Sequence, residues 1–161
     1  MDLHEYQTKI LLKQYNLPIP QGAVIRNINE TMDSIAHIGG KEWVLKAQIH
    51  ASGRAQAGGI RIVANEEELY TTIKSMIGSR LTTEKNAPEG QPVNQILIEN
   101  RITNIAREIQ LTLSVNIDTT YIKLAVTADN TSSMKNSSNE IPVIHQININ
   151  PITGLQPYQC Y

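Results

Sequence analysis

The chain has 161 residues, with 15 acidic and 14 basic side chains and a formal net charge of −1. This balance excludes a strong electrostatic attraction to nucleic acid or to anionic membranes. The one cysteine, Cys160, excludes an internal disulfide and fits a reducing compartment. No apolar run approaches the length of a membrane span, and the start of the chain, MDLHEYQTK, is neither a secretory signal nor a transit peptide, so we expect a cytoplasmic protein.

The first hundred residues are predicted to alternate helices and strands. A helix is expected over residues 2–15, with Asp2 and Glu5 as its capping box and an apolar stripe at helical spacing. Capping boxes and terminal glycines predict two more helices. The other elements expected here are a helix between Asn27 and Gly39, a helix between Asn65 and Gly78, strands over 23–26, 43–49, 60–63 and 95–99, and a long loop over 80–93.

The stretch from Trp43 to Val63 carries the strongest local pattern: a strand, a glycine-rich loop over 50–59, and a second strand. Lys46 lies within the first strand, where burial of an ammonium group is costly unless it is paired. Glycines in such a loop let backbone N–H groups approach phosphate oxygens. The alternative is a β-hairpin with a flexible loop and a surface lysine. The loop is not a P-loop, because Gly59-Ile60 stands where Lys-Ser/Thr is required.

The last sixty residues are predicted to be mostly strand. Alternation of apolar residues over 109–117 and 122–126 predicts a hairpin with one buried face, turning at Asp118-Thr119-Thr120. A polar loop is expected over 130–140, and a strand over 143–149. The sequence therefore predicts an α+β protein of two lobes, with Glu99 where the chain crosses between them.

Several motifs, taken together, resemble the β-subunits of succinyl-CoA synthetase, a family of ATP-grasp ligases. The matching stretches are LHEYQ (3–7), the LPIP turn (17–20), KAQIHA (46–51), AGG (57–59), GQPVNQIL (90–97) with Glu99, and PITG (151–154) followed by PYQ. The resemblance implies an ATP-grasp-like fold. Subdomain 1 would be complete over 21–100, and subdomain 2 would be partial, from 1–20 and 101–161. The C-terminal CoA-ligase domain would be absent.

The resemblance also implies a site for ATP or ADP between the two lobes. The residues it assigns are Lys46 to the α- and β-phosphates, Gly53, Arg54 and Ala55 over the phosphates, Glu99 at the hinge that holds adenine, Thr103 near that hinge, and Glu108 on the ribose hydroxyls. In the family, a phosphohistidine is carried by a partner α-subunit. No residue of this chain, His50 included, would then be the covalent nucleophile.

Departures from the family pattern predict a nucleotide site that is weak or lost. The chain is less than half the length of the family's β-subunits, and the Asn and Asp that bind magnesium would lie in the missing part. Ser52, Ala55 and Gln56 stand where the family has Gly, Gly and Lys. A Cβ on Ala55 would obstruct close approach to phosphate and oppose a positive φ.

Two functional hypotheses follow. The chain could be an enzyme component that binds ATP or ADP and works with an α-subunit. Alternatively, it is a catalytically inactive remnant that acts as a protein-interaction module or has no function. Uncovered strand edges and apolar faces predict association with itself or with a partner. From the residues alone, Arg54 fits a phosphate contact or a solvated loop, and Glu99 and Glu108 fit ordinary surface carboxylates.

Overall fold

The structure, a computed structural model, describes residues 2–84, 88–129 and 144–160. These residues form two compact units, and the chain passes from the first to the second after Thr103. Residues 1–20, which the resemblance groups with subdomain 2, lie with the first unit in this division. The assignment of segments to ATP-grasp subdomains stays a prediction. Among the described residues, the helices are too short and too polar to cross a membrane.

The first unit is built on a four-stranded antiparallel sheet in the order β1-β6-β2-β3. Its helices are α1 (Glu5–Gln14), α2 (Thr31–Ile38), which follows a 3₁₀ turn over Ile28–Glu30, and α3 (Glu66–Met76). Its strands are β1 (Gly22–Ile25), β2 (Trp43–Ala47), β3 (Ile60–Val63), a small pair β4 (Arg80–Leu81) and β5 (Gln91–Pro92), and β6 (Ile96–Asn100).

Alternation along β2 and β6 divides the main sheet into two faces. Leu45 and Ile98 are register partners and lie in the core with residues of α2 and α3, including Ile35 and Ile73. On β2 and β6, the intervening positions Val44, Lys46, Leu97 and Glu99 point to the opposite face, where Val44 is paired with Glu99 and Lys46 with Leu97. The pleat thus places Lys46 and Glu99 on the same face, as diagonal neighbours on adjacent strands, away from the apolar core.

The helix boundaries confirm part of the sequence prediction. Asn65 caps α3 by accepting a hydrogen bond from the N–H of Glu68 at 2.9 Å, as predicted. The capping box predicted for α1 is wrong. The N-cap is His4, whose N–H donates to the Gln7 side chain at 2.9 Å, and the Glu5 carboxylate turns toward the sheet instead. The predicted apolar stripe of α1 is not buried: no residue of this helix is.

The second unit is a three-stranded antiparallel sheet in the order β7-β8-β9, followed by a 3₁₀ turn over Pro157–Cys160. Its strands are β7 (Glu108–Val115), β8 (Ile122–Asp129) and β9 (Ile144–Ile149). The predicted β7–β8 hairpin is confirmed. Its turn is fixed by Asn116, whose side-chain oxygen accepts from the N–H groups of Asp118 and Thr119. The predicted loop over 130–140 and the start of the last strand at Val143 lie outside the described residues.

One expectation about β7 is wrong. Its apolar residues are expected to form a buried face, yet the structure leaves them exposed. These residues are Ile109, Leu111, Leu113 and Val115, with exposed fractions of 54, 66, 68 and 73%. The predicted loop over 80–93 also differs, since it contains the β4–β5 pair.

We predict that Ile98→Ala lowers the free energy of unfolding by about 2–5 kcal/mol, because Ile98 is fully buried and its truncation leaves a cavity. Ile62→Ala, on β3 of the same sheet, is the matched control, since Ile62 is 57% exposed. Urea unfolding followed by the fluorescence of Trp43, the only tryptophan, measures both. Equal losses in the two variants would contradict this description of the core.

Candidate functional site

Lys46 and Glu99 form the centre of a cluster of charged side chains on the sheet face opposite the core. Their strands are hydrogen-bonded neighbours, and the Nζ of Lys46 lies 2.8 Å from Oε2 of Glu99. Glu99 is only 2% exposed, so its charge requires close partners. The pairing explains how a lysine is accommodated in an otherwise apolar strand.

Helix α1 supplies two further members of the cluster, Glu5 and Lys9, which sequence reasoning missed as site residues. Oε1 of Glu5 accepts a hydrogen bond from Nζ of Lys46 at 2.7 Å. Nζ of Lys9 lies 3.1 Å from the same oxygen and also contacts Oε1 of Glu99. A Glu and a Lys four residues apart share one face of a helix, and this spacing is the signal that could have identified them.

Arg54 completes the cluster from the glycine-rich loop. Its guanidinium donates to Oε2 of Glu5 at 2.9 Å and to the backbone oxygen of Ala47 at 2.8 Å. The structure thus brings together three predicted site residues, Lys46, Arg54 and Glu99. The Arg54 side chain is half-buried and donates to two acceptors, and its contact with phosphate stays a prediction.

The glycine-rich loop is a compact set of turns. Gly53, at φ 81°, accepts from the N–H of Ala57, and the oxygen of Arg54 accepts from the N–H of Gly59 at 2.7 Å. A Cβ at Gly59 would lie 2.4 Å from a methyl carbon of Leu81 and 3.1 Å from the backbone oxygen of Arg54, so a side chain there would require Leu81 to shift. Ala55 is exposed and does not have a positive φ, and the expectation that its Cβ obstructs phosphate stays a prediction.

Thr103 and Glu108 are not part of this cluster as described. Thr103 is an exposed residue at the end of the first unit. Glu108 is the exposed first residue of β7 in the second unit. Their contact with a nucleotide stays a prediction, as do the ligand roles of Lys46, Gly53, Arg54, Ala55 and Glu99.

The charges of the cluster shift the pKa values of Glu5 and Lys46. Burial alone would raise the pKa of Glu5, but hydrogen bonds and charge from Lys46 and Lys9 outweigh it and lower that pKa to about 2. Burial likewise opposes the charge of Lys46, yet Glu5 and Glu99 raise the pKa of its ammonium group overall. These groups are therefore held ionised around neutral pH.

Two pockets border the cluster. One, of about 350 Å³, is lined by Glu5 and Arg54 together with Asp2, Leu3 and residues 49–52. The other, of about 230 Å³, has Lys9 and Glu99 beside apolar residues that include Pro20, Val24 and Leu97. Gly22 lies against Glu99 in this second pocket, and a Cβ there would approach the Glu99 side chain and the Ile98 backbone to 2.8 Å.

Beside the first pocket, the imidazoles of His4 and His50 stack with ring centres 3.9 Å apart. Burial first, then His50 and Arg54, lower the pKa of His4. Within the described ranges 2–84, 88–129 and 144–160, no cluster of His, Cys, Asp or Glu is arranged to hold a metal ion. Ammonium and guanidinium groups, such as those of Lys46 and Arg54, are the side-chain donors that bind carboxylate and phosphate oxygens.

The pKa of Glu5 predicts acid sensitivity. Because this pKa is about 2 in the folded chain against 4.5 as an ordinary value, the stabilisation is full above pH 4.5 and is lost as the pH falls toward 2. We expect the free energy of unfolding to fall less steeply over this range in Glu5→Gln than in the parent chain. Glu67→Gln, at an exposed position of α3, is the control and should keep the parent slope. Parallel slopes for all three chains would contradict the ion network.

Comparison with known proteins places these features in a family. The family model described as ATP-grasp domain matches residues 2–161. The chain is 42% identical, over 161 residues, to the succinate–CoA ligase [ADP-forming] subunit beta of Coxiella burnetii (strain Dugway 5J108-111), covering 99% of this chain and 41% of that protein. The proteins of the same name from Baumannia cicadellinicola and Sodalis glossinidius are 42% and 38% identical over 160 residues, with 99% of this chain covered in each case and 40% and 41% of the relatives.

The chain thus spans about two fifths of the length of these curated relatives. The predicted family and its mixed helix-and-sheet fold are confirmed by this match over nearly the whole chain. The chain belongs to the ATP-grasp family and is similar throughout its length to one part of succinate–CoA ligase β-subunits.

Proposed function

We propose that this chain is the nucleotide-binding part of a succinate–CoA ligase β-like protein and binds the polyphosphate of ATP or ADP at Lys46 and Arg54. The observation that carries the proposal is the convergence of these two cations with Glu99 on one sheet face. The similarity to proteins named as ADP-forming ligases supports the choice of nucleotide.

The cations have the chemistry that phosphate requires. An ammonium has three N–H donors and a guanidinium has five, so neither Lys46 nor Arg54 is saturated by the two protein acceptors described for each. Glu99 is held by β6 and keeps Lys46 aimed away from the core. The apolar lining of the pocket that contains Pro20, Val24 and Leu97 suits the flat face of a base next to Glu99.

Any magnesium at this site would be bound through the phosphates of the nucleotide. The described residues offer no metal-ligand cluster, so we assign no magnesium ligand to them. The family reaction, which joins succinate to CoA at the expense of ATP, would need further polypeptide and an α-subunit. Within it, this chain's residues would bind and orient the phosphates, and none would form a covalent intermediate.

We predict that Lys46→Ala weakens ATP binding by tenfold or more, because a charge-assisted hydrogen bond to phosphate contributes about 1.5–3 kcal/mol. Lys74→Ala, which removes an exposed lysine of α3, should leave the affinity unchanged. Isothermal titration with ATP and ADP, with and without magnesium, measures the effect, and Trp43 fluorescence checks that each variant is folded. Absence of ATP binding by the parent chain, or equal binding by Lys46→Ala, would refute the proposal.

A second candidate function, protein association, is favoured by the exposed apolar face of the β7–β8–β9 sheet. Strand register places Leu111 beside Val126 and Leu113 beside Leu124 on this face. Thr112 lies on the opposite face. The β7 members of this face are 54–73% exposed, and contiguous exposed apolar side chains of this kind mark interaction sites. This face would be covered by a second copy or by another chain.

We predict that the parent chain self-associates in a concentration-dependent way and that Leu113→Lys shifts it toward monomer, because a charge in an apolar interface is costly. Thr112→Lys, on the polar face of the same strand, is the control and should associate like the parent. Sedimentation velocity over a range of concentrations makes the comparison. Equal shifts by both variants would exclude this face as the interface.

A further inference from the structure

The carboxylate of Glu5 lies between the cations of Lys46 and Arg54. Its two carboxylate oxygens accept separately from these two cations, at 2.7 and 2.9 Å. Lysine and arginine bind carboxylate and phosphate oxygens with the same donors. A phosphate that engages both cations from the same side must therefore share or replace the Glu5 carboxylate.

The charge balance of the cluster favours replacement of the Glu5 carboxylate by phosphate over sharing of the two cations. Lys9, Lys46 and Arg54 carry three positive charges, and Glu5 and Glu99 carry two negative ones. With Glu5 in place, most of the positive charge is already neutralised, and an arriving polyphosphate meets a carboxylate within contact distance. Because like charges repel strongly where water is partly excluded, the two anions compete.

Helix α1 is attached to the main sheet without buried side chains of its own, so it can separate from the sheet. None of its residues is buried, and Ile10, Leu11 and Leu12 are exposed on it. The hydrogen bonds and ion pairs that hold it to the sheet are those of Glu5 and Lys9 and that of the N–H of Tyr6, which donates to Gln48 at 3.3 Å. Undocking α1 breaks the ion pairs of Glu5 and leaves Lys46 as the remaining cation of Glu99, but it disrupts none of the apolar packing of α2 and α3, so it costs less than unfolding the sheet.

Glu99 differs from Glu5 in this respect. It belongs to β6, between β1 and β2 in the sheet, and cannot move away without breaking backbone pairing on both sides. When Glu5 leaves, Glu99 still holds Lys46 at 2.8 Å. The fixed carboxylate orients the lysine, and the carboxylate on the helix is the exchangeable one.

We propose that Glu5 is an internal ligand of Lys46 and Arg54 that competes with phosphate, so that polyphosphate binds by displacing Glu5 and undocking α1. The inference rests on the proposed role of these two cations in binding phosphate. It adds that Glu5 sets the affinity of this site for phosphate. The apparent association constant for polyphosphate is then the intrinsic constant multiplied by the fraction of chains in which Glu5 has left the site.

The test is isothermal titration with inorganic tripolyphosphate, which presents the charge without the base. Glu5→Gln removes the competing charge, and we expect it to bind tripolyphosphate about tenfold more tightly than the parent, as it would if Glu5 occupies the site in about nine tenths of the parent chains. Glu5→Asp, with a shorter reach, should fall between the two. Glu67→Gln changes the net charge equally at an exposed position of α3 and should match the parent.

A second measurement does not depend on any variant. Amide exchange of residues 5–14 in the parent chain should speed up when tripolyphosphate is added, while exchange in β2 and β6 should not. Weaker or equal binding by Glu5→Gln, no binding by any chain, or unchanged exchange of α1 on saturation would overturn the proposal.

The outcomes separate this inference from the proposed function. Tighter tripolyphosphate binding by Glu5→Gln, without ATP binding by any chain, would support the competition and refute the nucleotide site. ATP binding that depends on Lys46 but is not improved in Glu5→Gln would support the nucleotide site and overturn the competition.

Discussion

The burial of Glu99 is the constraint on which the rest of the first unit depends. A carboxylate that is 2% exposed needs cations at its oxygens, and Lys46 and Lys9 provide them from a neighbouring strand and from α1. Lys46 then lies where Glu5 can reach its other side, and Glu5 in turn accepts a hydrogen bond from Arg54. One buried charge thus explains why a lysine interrupts β2, why α1 lies on this face, and why the glycine-rich loop folds back toward the sheet.

The two faces of the main sheet are stabilised by different interactions. On the core face, α2 and α3 pack apolar side chains such as Ile35, Leu69 and Ile73 against the strands. On the opposite face, α1 is held by ion pairs and hydrogen bonds, with no buried residue of its own. The first kind of attachment is insensitive to salt, whereas the second weakens with ionic strength. Among the described helices, α1 is therefore the one whose attachment a charged ligand would affect most.

Local patterns predicted much of the fold, since the cap at Asn65, the hairpin around the glycine-rich loop and the β7–β8 turn each depend on residues close in sequence. Sequence alone also indicated that Lys46 needs a partner. It did not identify Glu5 and Lys9, because their contacts with Lys46 and Glu99 span 41 and 90 residues. The exposed face of β7 was missed for a related reason: alternation predicts a face that must be covered, but it does not say what covers it.

The strand order of the main sheet has a consequence for how the first unit folds. β6 is the last of its strands in the sequence, yet it lies between β1 and β2 and makes backbone pairs with both. The sheet therefore cannot close until the chain has been synthesised through Asn100, and its assembly requires contacts between residues far apart in sequence, which slow folding. Because Glu99 arrives on this same strand, the core and the charged cluster are completed in a single event.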